Sequence, residues 1–148
     1  MPTRRKIRPA RGRRHHAPRS RPPRVYLAAP LSLAGTPRYA RLLAALRTLR
    51  PCAEIVEGLS YFESHEHWRR MWPRLRRSLA GVVFVTDADG WIGRGTLAEL
   101  TSLDLARCAV YHLSPAGALT PASRLRFGPP HEDDWRRYCR VVRTRARA

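Results

Sequence analysis

The sequence lacks several features that would place the protein in a specialised class. No apolar run approaches the ~20 residues that a membrane-spanning helix needs, and the first residues lack the apolar core of a secretion signal. Its three cysteines, Cys52, Cys108 and Cys139, form no CxxC pair and no Cys/His ligand spacing, so we expect reduced thiols. These absences predict a cytoplasmic protein with no membrane partner.

Negative charge is also scarce. The chain has 11 acidic residues against 29 basic ones, which gives a formal net charge of +18, and Lys6 is the only lysine. Such a balance favours anionic partners, namely nucleotides, nucleic acid or an acidic protein surface. A genome biased toward G and C would produce the same arginine preference without any function behind it, so charge alone identifies no partner.

Basic residues are most concentrated at the N-terminus. Residues 1–24 contain nine arginines, one lysine, five prolines and no acidic residue. This composition cannot bury enough apolar surface to become ordered, so we predict a disordered arm over residues 1–23. A basic arm can neutralise phosphates and hold a protein on nucleic acid, whereas the alternative interpretation is a dispensable tail. One domain is predicted to follow, over residues 24–144.

Within that domain, strand and helix patterns alternate. Short apolar runs predict strands at residues 24–29, 53–56, 82–85 and 109–113. Between the first two, Thr36 is placed to cap a helix that Pro37 begins and Pro51 ends. The alternation predicts an α/β fold, in which a mostly parallel sheet of about five strands lies between two helical layers.

Residues 62–71 predict a further helix, which Pro73 is expected to break or restart. Trp68 and Trp72 would lie on its apolar side, beside several arginines. Aromatic rings next to arginines can bind single-stranded nucleic acid, but core packing explains the tryptophans more simply. Because His65 and His67 would point about 200° apart on a helix, this segment does not predict a metal site.

The C-terminal part predicts three segments: a loop over residues 115–123, a short edge strand over 125–127 and a helix over 132–143. Four residues are expected on the inner face of that helix: Trp135, Tyr138, Cys139 and Val142.

The central stretch, residues 81–114, predicts a strand, a loop rich in Asp and Gly, a helix and a second strand. Ligands of parallel α/β sheets bind where strand ends meet helix starts, so Glu99 in the opening of that helix is the main candidate. A second interpretation is a capping box, in which Thr96 caps the helix and Glu99 binds the cap N–H. Asp87 and Asp89 similarly fit a tight turn.

Two segments give the chain a family resemblance. Residues 25–30 read Val-Tyr-Leu-Ala-Ala-Pro, and residues 95–99 read Gly-Thr-Leu-Ala-Glu. Over residues 24–114 the chain resembles the nucleoside 2-deoxyribosyltransferase-like family, which has a flavodoxin-like fold. In that family a glutamate attacks the anomeric carbon of a nucleoside or nucleotide, releases the base and passes the sugar to another base or to water.

The resemblance implies that Glu99 is the nucleophile and that Asp87 or Asp89 donates a proton or orients the substrate. Many active members carry an aspartate six residues before the glutamate, whereas this chain has Gly93. No metal or other cofactor is expected. The implied substrate-binding residues are Tyr26, Ala28, Ala29, Pro30, Ser32, Trp91, Gly93, Gly95 and Thr96. Relatives often complete their sites with a neighbouring subunit, and residues 61–72 offer an interface for a homo-oligomer.

Two alternatives stay open. The glycine-rich turn at residues 93–99 also resembles that of the lysine-decarboxylase-like phosphoribohydrolases, which break the same kind of bond. The second alternative is a module that binds a nucleotide or nucleic acid through its arginine-rich surface without turnover.

Overall fold

The computed structural model describes residues 20–143, so most of the predicted arm lies outside the described residues. The strands are β1 (Arg24–Ala28), β2 (Glu54–Glu57), β3 (Leu79–Phe84), β4 (Trp91–Ile92), β5 (Ala109–Leu113), β6 (Leu119–Pro121), β7 (Leu125–Phe127) and β8 (Cys139–Arg143). The helices are α1 (Pro37–Leu49), α2 (Gly58–Tyr61), α3 (His65–Leu75) and α4 (Arg94–Thr101).

The central sheet confirms the predicted α/β class. Its five strands are ordered β2-β1-β3-β5-β6, with parallel pairing throughout except between β5 and β6. The chain moves from β1 to β2 on one side and then returns to place β3 on the other side of β1. This Rossmann-like order therefore changes direction between β1 and β3, and ligands bind at the carboxyl ends of strands at such a point.

Alternate side chains of β1 enter two separate cores. Val25 and Leu27 pack with Leu42 and Leu46 of α1 on one face of the sheet. On the other face, Tyr26 and Ala28 belong to the cluster that includes residues of α3 and α4. Because successive strand residues point to opposite faces, these two clusters give the predicted arrangement of a sheet between two helical layers. The cap of α1 is also confirmed, since the Thr36 hydroxyl accepts from the Tyr39 N–H.

The predicted C-terminal helix is wrong. Residues 139–143 form β8, which pairs antiparallel with β4 and β7 in a separate three-stranded sheet, and the chain from 132 to 138 is irregular. Trp135 is 51% exposed and Val142 is 50% exposed, so neither lies on a buried helical face. Their spacing fitted a helix, but pairing with β4 and β7, which lie outside the segment, determined the local structure.

Two other segments differ from their predictions. The predicted helix at 62–71 begins only at His65, because the Ser64 hydroxyl accepts from the His67 N–H and caps α3 there. Pro73 does not break α3, which continues to Leu75. The predicted loop at 115–123 contains β6, whose pairing with β5 extends the sheet.

Among the described residues, no helix has both the length and the apolar character needed to cross a membrane. All three cysteines are free thiols; Cys52 is exposed, whereas Cys108 and Cys139 are buried. A cytoplasmic location stays a prediction.

Candidate active site

Glu99 is buried on α4, and its carboxyl group is bound to two side chains from other elements. The Tyr26 hydroxyl donates to Glu99 Oε1 at 2.6 Å, and the Trp68 indole N–H donates to the same oxygen at 2.9 Å. Only 7% of Glu99 is exposed. Strand β1, helix α3 and helix α4 thus meet at a single carboxylate oxygen.

The capping-box interpretation of this motif is wrong. Gly93 is the N-cap of α4, and Thr96 already lies inside the helix. The Glu99 side chain binds Tyr26 and Trp68 instead of reaching back to the start of its own helix. The glutamate is therefore committed to a tertiary contact and not to the helix end.

Burial dominates the electrostatics of Glu99. Removal from water raises its pKa from an ordinary 4.5 to about 7, although the hydrogen bonds from Tyr26 and Trp68 act in the opposite direction. Burial, together with the nearby carboxylate, also raises the pKa of Tyr26, so its hydroxyl stays a donor at neutral pH. No ion pair joins Glu99 to any residue in the range 20–143. Both forms of this carboxyl group are accessible near pH 7.

Tyr26 reaches Glu99 because Gly58 leaves room for its ring. A Cβ built on Gly58, at the start of α2, would collide with the Tyr26 hydroxyl oxygen and would lie 2.7 Å from its Cζ. On the core side the Tyr26 ring packs against Trp72, with 5.0 Å between ring centroids. A residue without a side chain at position 58 is therefore part of how the hydroxyl is positioned.

Trp68 is a residue of the candidate site that sequence reasoning did not assign to it. Its ring stacks between those of His65 and Trp72, at centroid distances of 5.6 and 6.3 Å. The spacing of Trp68 and Trp72 along α3 correctly indicated an inward face, and Trp72 is buried in the core. The glutamate that accepts the Trp68 N–H is 31 residues further along the chain, so no local pattern could identify it.

A cavity of about 720 Å³ opens beside Glu99. Eight of the residues predicted from the sequence line it: Tyr26, Ala29, Pro30, Ser32, Gly93, Gly95, Thr96 and Glu99. Three aromatic side chains that were not predicted also line it, namely Phe62, Trp68 and Trp135. Its ionisable lining includes Glu63, His65, Arg94 and Arg136 besides Glu99.

The other predicted residues do not line this cavity. Ala28 is fully buried in the core, and the ring of Trp91 contacts His131. The Asp87 carboxylate accepts from the backbone N–H groups of Asp89 and Trp91 through Oδ1. Arg137 binds both aspartates, with Nε 2.9 Å from Asp87 Oδ2 and Nη2 2.7 Å from Asp89 Oδ2. Asp87 and Asp89 therefore stabilise a turn, which agrees with the second interpretation of these residues.

The C-terminal segment occupies the space beside Gly93. The Arg94 N–H donates to the Trp135 carbonyl at 2.9 Å. A Cβ on Gly93 would lie 3.2 Å from the Arg136 carbonyl oxygen and 3.4 Å from that of Trp135. This close approach favours a glycine where the resemblance implies an aspartate, and the same segment brings Trp135 and Arg136 to the cavity.

The histidines of α3 make ordinary contacts. His67 Nδ1 accepts from the Glu63 N–H at 3.1 Å, while His65 stacks on Trp68. In the part of the chain that the structure describes, no group of three or more His, Cys, Asp or Glu side chains is arranged to hold a metal ion.

No protein-family model, curated protein or solved structure matches this chain. The resemblance to the nucleoside 2-deoxyribosyltransferase-like family therefore stays a hypothesis, and the geometry of the site carries the functional argument.

Proposed function

We propose that the protein cleaves the N-glycosidic bond of a nucleoside or nucleotide, with Glu99 as the nucleophile. One observation carries this proposal: a buried carboxylate lines a cavity of about 720 Å³ and is held only by neutral donors. A carboxylate in an ion pair would be less nucleophilic. Cleavage of an N-glycosidic bond builds positive charge on the sugar, and a carboxylate beside the anomeric carbon stabilises that charge or forms a covalent intermediate.

The hydrogen bonds divide the two carboxylate oxygens between two roles. Tyr26 and Trp68 both donate to Oε1, so Oε2 takes neither donor and is the oxygen that attacks. Attack by Oε2 forms a bond to the anomeric carbon, and the electron pair of the C–N bond leaves with the base. Water or a second base then attacks the same carbon and releases the Glu99 carboxylate, and the incoming group loses a proton.

The departing base must gain a proton. Asp87 and Asp89 were predicted for this role, but both are bound to Arg137 and do not line the Glu99 cavity. Glu63 and His65 do line it and carry groups that exchange protons. We assign the proton transfer to one of these two residues, because general acid catalysis requires direct reach to the base.

The aromatic lining suits a planar base. Phe62, Trp68 and Trp135 line the cavity, and aromatic rings stack on bases of any sequence. Trp72, in contrast, is buried in the core, so it is not available to stack on nucleic acid from outside. These contacts favour a single nucleobase in the cavity over a strand lying along α3.

The experiment measures release of free base from a panel of ribo- and deoxyribonucleosides and their 5′-monophosphates, by chromatography. Wild type is compared with Glu99→Gln, and Glu66→Gln serves as the matched control because Glu66 is exposed on α3 and does not line the cavity. We expect base release by wild type and the control, and none above background by Glu99→Gln. Equal release by all three proteins, or by none of them, contradicts the proposal.

A further inference from the structure

A second, smaller cavity of about 360 Å³ adjoins the one beside Glu99. Ser32 and Arg136 line both cavities. The smaller cavity also has Arg38 and Arg137 in its lining, and the larger one has Arg94. Four arginines thus line the two cavities. Two aspartates also line the smaller one: Asp87 is paired with Arg137, and the Asp134 carboxylate accepts from the backbone N–H groups of Arg136 and Arg137.

Only one of these four arginines is neutralised. Arg137 forms ion pairs with Asp87 and Asp89. Arg38 donates from Nη2 to the Asp87 carbonyl oxygen at 3.2 Å, and its Nε is buried without a hydrogen-bond partner in the structure. Among the described residues, no carboxylate forms a salt bridge with Arg38, Arg94 or Arg136.

The contacts of Arg94 and Arg136 keep their N–H donors available. Arg94 Cζ lies 4.6 Å from the centroid of the Tyr138 ring, and Arg136 Cζ lies 5.2 Å from that of Trp135. Stacking on a ring fixes the guanidinium plane and uses its face, whereas hydrogen bonds use its edge. Arg38 and Arg136 therefore offer charged donors to the smaller cavity, and Ser32 adds a further polar residue to its lining.

We propose that the substrate carries a phosphate, which binds in the smaller cavity to Arg38 and to Arg136, the arginine that lines both cavities. This inference rests on the proposed function and names its substrate class, a nucleoside monophosphate with its base and sugar in the larger cavity. A guanidinium group binds phosphate oxygens through two parallel charge-assisted hydrogen bonds, which a neutral nucleoside cannot replace. The Glu99 carboxylate and the phosphate site then hold opposite ends of one ligand.

The test measures equilibrium binding by calorimetry to the full chain carrying Glu99→Gln, so that turnover does not interfere. The ligands are a deoxynucleoside, its 5′-monophosphate and inorganic phosphate. We expect the monophosphate to bind at least about tenfold more tightly than the deoxynucleoside. Adding Arg38→Ala, which lies outside the larger cavity, should remove most of that preference without weakening deoxynucleoside binding, and Arg136→Ala should weaken monophosphate binding more than deoxynucleoside binding. Arg74→Ala, which removes an exposed arginine outside both cavities, should change neither affinity.

Three results overturn the inference: equal affinity for the two nucleoside forms, equal weakening of both forms by the arginine substitutions, or arginine-dependent binding of inorganic phosphate alone. Arg136→Lys, which keeps the positive charge but not the two parallel N–H donors of the guanidinium group, should restore part of the preference for the monophosphate. Base release by wild type is measured separately. Arginine-dependent nucleotide binding without base release refutes the proposed enzyme but not the phosphate site. Base release without a preference for monophosphates refutes the phosphate site but not the proposed enzyme.

Discussion

Glu99 and Asp87 are the two acidic residues buried in the described part of the chain, at 7% and 6% exposure, yet their partners differ in kind. Asp87 accepts two backbone N–H groups and an arginine, so each of its oxygens has a donor and its charge is balanced. Glu99 has only neutral donors, both on one oxygen, and it lines a cavity. Equal burial therefore accompanies a balanced charge at Asp87, whereas it leaves a carboxyl group without an ion pair beside a cavity at Glu99.

The largest effect that this comparison predicts is on turnover. Glu99→Gln should lower the rate of base release by about 10³-fold or more, because an amide cannot attack the anomeric carbon. Its unfolding temperature should not fall, since the amide keeps the size of the side chain and removes a buried charge. Single-turnover base release and thermal unfolding measure the two quantities. If turnover falls only in proportion to the amount of folded protein, Glu99 contributes to stability as Asp87 does, and the proposed difference between the two residues is wrong.

The second prediction concerns pH. A folded-state pKa of about 7 against an ordinary 4.5 means that the folded protein holds the Glu99 proton more tightly than the unfolded chain does. Stability from this residue is therefore complete below about pH 4.5 and declines by about 3 kcal/mol as the pH rises to 7 and beyond. Base release should rise over the same window, because the nucleophile is the ionised form.

Denaturant unfolding of wild type and Glu99→Gln between pH 5 and pH 8 isolates this contribution, since all other titrating groups are common to both proteins. The free energy of unfolding of wild type should fall relative to that of Glu99→Gln as the pH rises. Parallel pH profiles would show that Glu99 titrates normally.

A smaller effect on stability is expected at Asp87, the other buried acidic residue of the comparison. Asp87→Ala leaves the N–H groups of Asp89 and Trp91 without their acceptor and should lower the free energy of unfolding by about 2 kcal/mol. We assign none of this loss to the ion pair with Arg137, which faces solvent. Base release per folded molecule should change less than in Glu99→Gln. If Asp87→Ala stays folded and loses turnover as completely as Glu99→Gln, Asp87 has the catalytic role that the sequence predicted.

The smallest predicted effect tests how Tyr26 reaches Glu99. In Gly58→Ala the new methyl group collides with the Tyr26 hydroxyl, so the ring must shift, at a cost of about 1 kcal/mol in stability. The displaced hydroxyl should also lower base release about tenfold, by weakening its bond to Glu99. Gly95→Ala is the matched control for stability, because a Cβ there meets no atom within 4 Å. Equal unfolding midpoints for the two variants would contradict the proposed role of Gly58.

Local sequence signals predicted much of the fold. Thr36 and Pro37 marked the start of α1, and short apolar runs marked β1 and β5, because these features depend on neighbouring residues alone. The prediction of a C-terminal helix was wrong because the structure there depends on residues outside the segment. Residues 139–143 are a strand only because β4 and β7 pair with them, and nothing within the segment encodes those partners.

For the candidate site, too, local features could be predicted from the sequence and long-range contacts could not. A glycine-rich turn before a helix was enough to single out Glu99, since that turn is local. Its two hydrogen-bond partners are 73 and 31 residues away, and neither could be assigned from spacing. Arg136 was missed because it enters the cavity from the segment that was predicted to be helical. Gly93 stands where the resemblance implies an aspartate, and the backbone carbonyls of that segment lie close to the position that a Cβ would take there.

Trapping of a covalent intermediate tests the central claim most directly. A 2-deoxy-2-fluoro-arabinosyl nucleoside and its 5′-monophosphate slow both steps of such reactions, because fluorine destabilises the positive charge that develops on the sugar in each, and slow turnover of the intermediate allows it to be detected. Mass spectrometry of wild type incubated with these compounds should find the sugar attached to the peptide that contains Glu99, and no addition to Glu99→Gln. Base release without any adduct, or an adduct on another residue, would contradict the assignment of Glu99 as the nucleophile.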